Sequence, residues 1–197
     1  MFMGGAASPD QGSVVAAILE KGRQLVRDEV VTIPDFGRGW RTDTTKVQGL
    51  PVCIKSVAHH RYLSSSPDGD VKHHKEAKEW EQFTLLHLRN GLVSFRTAHG
   101  RYLGAPDPDP KSSKHLTTKN FLREWEMFTL EHIFDERYAL RTYHGKYVGL
   151  ILPKGFCEKV VLANQALAGE WEQFEIEVNS LDKKGPVGEA GGDTEML

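Results

Sequence analysis

Cysteine is almost missing from this chain: Cys53 and Cys157 are the only two in 197 residues. Two isolated positions give no disulfide framework and no metal-ligand spacing, and they read as free thiols of a reducing compartment. Long apolar runs are missing too, and none approaches the length of a membrane span. No basic segment followed by an apolar core marks a secretory signal near the first residues. Charge of one sign is also lacking. Lys and Arg number 25 against 27 Asp and Glu, a net charge of −2. That leaves no global basic field to favour nucleic acid. Catalytic signatures are absent as well: no G-x-S-x-G elbow, no Walker loop, no H-E-x-x-H. The expectation is a cytoplasmic protein of one domain plus tails, not an enzyme, with no cofactor, no metal and no nucleic-acid partner.

What the chain does have is repetition. EWExF occurs as Glu79-Trp80-Glu81-Gln82-Phe83, Glu124-Trp125-Glu126-Met127-Phe128 and Glu170-Trp171-Glu172-Gln173-Phe174, at intervals of 45 and 46 residues. A second triplet runs in phase: HHRYL at 59–63, HGRYL at 99–103 and HGKYV at 144–148. A period of this size marks a repeat architecture whose copies bury their apolar faces only together. The three copies cover about 50–90, 91–135 and 136–180.

Inside each copy the apolar period is two, which is strand-like: Val52/Ile54, Val93/Phe95 and Tyr138/Leu140. A tight turn follows. Gly100 and Gly145 suit its positive φ, whereas the first copy has His60 there and is expected to differ or be strained. Four apolar positions recur: Ile54/Phe95/Leu140, Leu63/Leu103/Val148, Val71/Leu116/Leu162 and Phe83/Phe128/Phe174. The pattern predicts four short strands per copy, twelve in all. Outside the copies, 1–49 is an extension with a possible helix at 13–28, where Val14, Val15, Ile18, Leu25 and Val26 recur at helical spacing. Residues 181–197 have almost no apolar content and read as a flexible tail.

Three four-stranded copies carrying HG[RK]Y[LV] and EWExF resemble the fascin-like β-trefoil family. The resemblance implies a six-stranded barrel capped by three hairpins around a pseudo-threefold axis, and it covers about 50–180. Fascins carry four trefoils and this chain has room for one, so it looks more like the single-trefoil hisactophilin type. The implied function is cytoskeletal, with actin filaments as the partner. The alternative is a trefoil carbohydrate-binding or protein-interaction module unrelated to actin. Ricin-type trefoil lectins carry Q-x-W, and here no Gln stands two residues before Trp, which ranks sugar binding lower.

Several positions are weighed as sites. Trp80, Trp125 and Trp171 read as core or barrel-end packing residues in preference to ligand contacts. The glutamates beside them are expected to face solvent or to pair with Arg61, Arg101 and Lys146. The longer second-copy insertion places Lys111, Lys114, Lys119 and Arg123 after the last acid, Asp109. That basic loop is a candidate contact for an acidic filament, set against the reading of a solvated charged loop. Lys72, His73, His74 and Lys75 form the next candidate cluster. If all nine histidines were protonated the net charge would move from −2 to +7 (−2 plus 9), a charge switch set against ordinary turn and surface histidines. In the third copy Ile151, Leu152 and Phe156 fall in a loop at 149–159. It either folds over the barrel end or offers an apolar patch to a protein partner.

Overall fold

The period-two runs become twelve antiparallel strands in the computed structural model, which describes residues 49–88, 91–105, 115–151 and 160–179. They are β1 (Leu50–Ser56), β2 (Arg61–Ser65), β3 (Val71–His74), β4 (Gln82–His87), β5 (Leu92–Thr97), β6 (Tyr102–Gly104), β7 (Thr117–Lys119), β8 (Phe128–Phe134), β9 (Arg137–Thr142), β10 (Tyr147–Ile151), β11 (Val160–Gln165) and β12 (Gln173–Val178). Six of them close on themselves. β1 pairs with β4, β4 with β5, β5 with β8, β8 with β9, β9 with β12, and β12 returns to β1. Closure removes the unpaired sheet edges that would otherwise invite aggregation. The hairpins β2–β3, β6–β7 and β10–β11 hang from β1, β5 and β9. They meet one another, with the Thr118 N–H donating to Gly69 O at 3.1 Å and the Leu116 N–H to Val161 O at 3.2 Å. This is the arrangement of a β-trefoil. The possible helix at 13–28 and the tail at 181–197 lie outside the described residues.

The barrel strands and the first strand of each hairpin send alternate side chains inward, and the inward set contains the recurring apolar positions. Ile54, Phe95, Leu140, Leu63, Leu103, Val148, Phe83, Phe128 and Phe174 are all buried in one cluster. The rings of Phe95 and Phe128 meet edge-on at 6.0 Å, the geometry their quadrupoles favour. The fourth recurring position needs correction in the third copy. Val71 packs against the core and Leu116 belongs to it. Val161, not Leu162, is their counterpart, because Leu150 faces Val161 as Ser65 faces Val71, and Gly104 faces Thr117, the neighbour of Leu116. Tyr147 faces Gln165 while Val148 faces Ala163, so Asn164 is left over as a bulge. The bulge absorbs the one residue by which the second Trp interval exceeds the first.

The β1–β2 turn differs from its siblings as expected. Gly100 and Gly145 adopt φ of 75° and 73°, and each N–H donates to the carbonyl three residues back, Thr97 at 3.0 Å and Thr142 at 2.9 Å. His60 is held at φ 50° and donates four residues back, to Ser56 O at 2.9 Å. A β-carbon in the left-handed region costs about 1 kcal/mol, less for His than for branched residues.

Phe128 has no exposed surface and touches the barrel from its middle. Phe128→Ala is expected to destabilise the protein by roughly 3–5 kcal/mol in a urea melt. A loss below about 1 kcal/mol would place its ring outside the closed core.

Candidate functional site

Each EWE motif forms a short 3-10 turn leading into a barrel strand: Glu79–Glu81 before β4, Glu124–Glu126 before Met127 and β8, and Glu170–Glu172 before β12. The second glutamate of each turn does not face solvent or pair with Arg61, Arg101 or Lys146, as expected from the sequence. Glu81, Glu126 and Glu172 are buried. Each carboxylate reaches back to accept the backbone N–H three residues earlier, from Lys78 at 2.8 Å, Arg123 at 2.9 Å and Gly169 at 2.8 Å. The bond satisfies a donor that the turn leaves unmade. Room for two of these carboxylates comes from glycine. A β-carbon on Gly104 or Gly149 would stand 2.8 or 2.6 Å from an oxygen of Glu126 or Glu172. Burial pushes the Glu126 carboxyl up to about 7, against the Arg123 N–H and the charges of Lys119 and Arg123. Glu172 is raised by burial too, opposed by the Gly169 N–H. Arg101 is spent elsewhere, donating to Thr118 O at 3.1 Å and Pro67 O at 3.3 Å.

The repeat tryptophans are not core residues. Trp80, Trp125 and Trp171 leave 42%, 39% and 42% of their surface exposed, because the carboxylate beside each one, not the indole, points inward. Each indole lies against the turn histidine of the next copy. Trp80 meets His99 at 5.9 Å, Trp125 meets His144 at 5.6 Å, and Trp171 meets His59 at 5.7 Å. Nε2 of His59 and His99 lies at hydrogen-bond distance from Leu150 O (2.9 Å) and Ser65 O (3.1 Å) in the preceding copy. The histidines therefore serve as seams between copies, a role the sequence pattern held in the constant phase of the two motifs.

On this common frame the copies carry different side chains. Four residues before Trp stand Glu76, Phe121 and Leu167; two before it stand Lys78, Arg123 and Gly169. His74, Lys119 and Gln165 end the preceding strands in the three copies. Only the second copy has two cations flanking an aromatic ring. Its segment is pinned by Leu122, fully buried in a satellite cluster with Leu86, Leu88 and Tyr102. Lys119, Phe121 and Arg123 consequently face out. Together with Arg101, Trp125, Glu124 and Glu126 they line a cleft of about 640 Å³, within the size range of ligand sites. The matching hollow of the third copy is about 280 Å³ and holds Gln165, Glu170, Trp171 and Glu172, with no cation.

Of the residues singled out in the sequence, Lys119 and Arg123 come together in this cleft, and Lys111 and Lys114 lie outside the described residues. In the first copy carboxylates stand beside Lys72, His74 and the nearby Lys78. Lys72 lies 3.7 Å from Asp70, Lys78 3.2 Å from Glu76, and His74 Nδ1 3.1 Å from Glu81 Oε1, an ion-pair distance without hydrogen-bond alignment. His73 faces Leu63 across the hairpin, and Lys75 is exposed beyond the strand end. The expected loop at 149–159 needs correction at its start, because Gly149, Leu150 and Ile151 are paired in β10 and Leu150 is in the core; 152–159, with Leu152 and Phe156, lie outside the described residues. Missed from the sequence were Phe121 and Tyr143, and Arg101, expected as a partner of the repeat glutamates, instead lines the cleft and donates to carbonyls. The signal for Phe121 and Tyr143 was available, since both break a threefold pattern. No group of three or more metal-ligating side chains occurs among the described residues. None of the described helices is long and apolar enough to cross a membrane.

No family model and no curated protein matches the chain. Among solved structures it is similar to a designed threefold-symmetric protein, ThreeFoil, at 17% identity and a TM-score of 0.55, over 64% of this chain and 97% of that one. At such identity the likeness shows the fold alone, a β-trefoil.

Glu126 sets a test. Its folded-state value of about 7 lies above the ordinary 4.5, so its contribution is fully present below about pH 4.5 and is lost as pH rises through 7. The loss is on the order of 3 kcal/mol. Glu126→Gln keeps an acceptor for the Arg123 N–H but cannot ionise. Urea melts should show the variant gaining on the wild type steadily from pH 5 to pH 8. A difference independent of pH would mean that Glu126 titrates as an ordinary surface carboxylate.

Proposed function

We propose that this chain is a non-enzymatic binding module that contacts actin filaments through the second repeat of its trefoil. The observation that carries the reading is the cleft on that repeat, where Lys119 and Arg123 stand beside exposed aromatic rings on a frame whose siblings lack that combination. Structural need explains what recurs three times; it does not explain a cationic and aromatic site made once. Lys119 and Arg123 are exposed and form no salt bridge among the described residues, and although their charges act on buried Glu126, their outward ends can meet a partner. Actin filaments are acidic, and exposed cations attract such a surface over a Debye length of about 8 Å at physiological salt. The fascin-like pattern of HG[RK]Y[LV] and EWExF supports a cytoskeletal partner, and the buried free thiol of Cys53 suits the cytoplasm. Trefoils host unrelated activities, so the choice of partner rests on this site and not on the fold.

The half-exposed indole rings favour a second reading, a trefoil carbohydrate-binding module, in which sugar faces pack on Trp125 and its counterparts. Co-sedimentation with filamentous actin at low and moderate salt separates the two. Binding should weaken as salt rises, and replacing Lys119 and Arg123 together by Glu should reduce it by roughly tenfold or more while flattening the salt dependence. Undiminished binding by that variant would move the contact elsewhere. Retention on a glycan array with no sedimentation at any salt would favour the carbohydrate reading.

A further inference from the structure

The cleft carries more than charge, and its apolar part narrows what it takes. Phe121 is 41% exposed on one wall and Trp125 39% on another. The aromatic surface continues past the cleft. His144 lies against Trp125 at 5.6 Å and against Tyr143 at 5.5 Å, and Tyr143 is 61% exposed. The turn positions matching Tyr143 are Ala58 and Ala98, so the trefoil frame does not need a ring there. The same logic applies to Phe121, whose first-copy counterpart is the exposed Glu76. Of these two aromatic departures from threefold symmetry, Phe121 lines the cleft with the exposed cations Lys119 and Arg123, and Tyr143 joins it through His144 and Trp125. Rigid aromatic rings and Arg are the side chains that most often dominate the energy of protein interfaces.

We infer that the second-repeat cleft recognises an acidic peptide segment bearing one large apolar side chain, which seats between Phe121 and Trp125 while flanking carboxylates meet Lys119 and Arg123. This deepens the proposed function and rests on its placement of the contact. The charge balance of the lining fits. Arg101, Lys119 and Arg123 face Glu124 and Glu126, and burial holds Glu126 partly protonated near neutrality, so the cleft has a net positive charge. A purely electrostatic contact would leave Phe121, Trp125 and Tyr143 wet. A purely apolar one would leave Lys119 and Arg123 without partners. The third-copy hollow, with Trp171 but no cation, is a control within the same molecule.

The test uses the full chain labelled with 15N and three synthetic peptides: Glu-Glu-Phe-Glu-Glu, the same with Gly in place of Phe, and the same with Gln in place of each Glu. Indole N–H signals are assigned with Trp80→Phe, Trp125→Phe and Trp171→Phe variants. The acidic Phe peptide should shift the Trp125 signal and leave that of Trp171 in place. The Gly and Gln peptides should each bind roughly tenfold more weakly. Two substitutions borrow residues that the sibling copies already carry at these places, Lys119→Gln and Tyr143→Ala, and so should fold normally. The first should weaken the acidic Phe peptide by roughly tenfold and the second by a few-fold. Equal binding of the Gly peptide, equal shifts at Trp171, or no effect of Lys119→Gln would overturn the inference. Peptide binding at the cleft without actin co-sedimentation would sink the actin reading and leave this one standing. Co-sedimentation with no peptide shift at Trp125 would do the reverse.

Discussion

Everything in this fold depends on β1 finding β12. Val52 pairs with Val178 and Ser56 with Phe174, across more than 100 residues of chain, and until that ladder forms the barrel is an open sheet with two bare edges. No copy can bury its own Leu, Ile and Phe side chains, so the three must close together. The one-residue difference between copies is tolerated because it is parked at the Asn164 bulge, away from the barrel staves. The copy boundaries are secured separately. Each Trp leans on the turn histidine of its neighbour, and the ring of contacts returns from Trp171 to His59.

The buried carboxylates are the less obvious half of this design. An unpaired carboxylate under protein costs several kcal/mol unless it is hydrogen-bonded or neutralised. Here each one is bonded to the backbone that starts its own turn. Glu81 has His74 close by, Glu126 has Lys119 and Arg123, and Glu172 has no cation among the described residues. The same structural element therefore sits in three electrostatic settings. The setting of the second copy opens onto the cleft of about 640 Å³, which links a folding device to the surface proposed for binding.

Much of the fold was legible in the sequence because repetition doubles as an alignment. Strands, turns and buried phenylalanines could be read three times over. What failed were inferences made one residue at a time. Tryptophan was assigned to the core or the barrel end by size, and both glutamates of each motif to solvent or to Arg and Lys partners by charge. In the EWE turn the 3-10 geometry aims the second Glu inward, against expectation, and leaves the indole out of the core on the rim, while Glu79, Glu124 and Glu170 are exposed as expected. Leu162 was misplaced because a bulge shifts facing by one residue and no sequence signal at Asn164 marks it. The candidate site was half legible. Lys119 and Arg123 were visible as cations, but their convergence with Phe121 and Trp125 needed the buried anchor Leu122 to be seen in place. Asking where the copies disagree, not where they agree, would have pointed to Phe121 and Tyr143.

Hydrogen–deuterium exchange of the full chain, with and without filamentous actin, tests the central claim most directly, because it reports every copy in one experiment. Slowed exchange concentrated in 117–127 and around Tyr143, with the matching segment 163–173 of the third copy unchanged, is the expected result. Protection centred on the first or third copy, or no change anywhere under saturating filaments, would contradict a contact built on the second repeat.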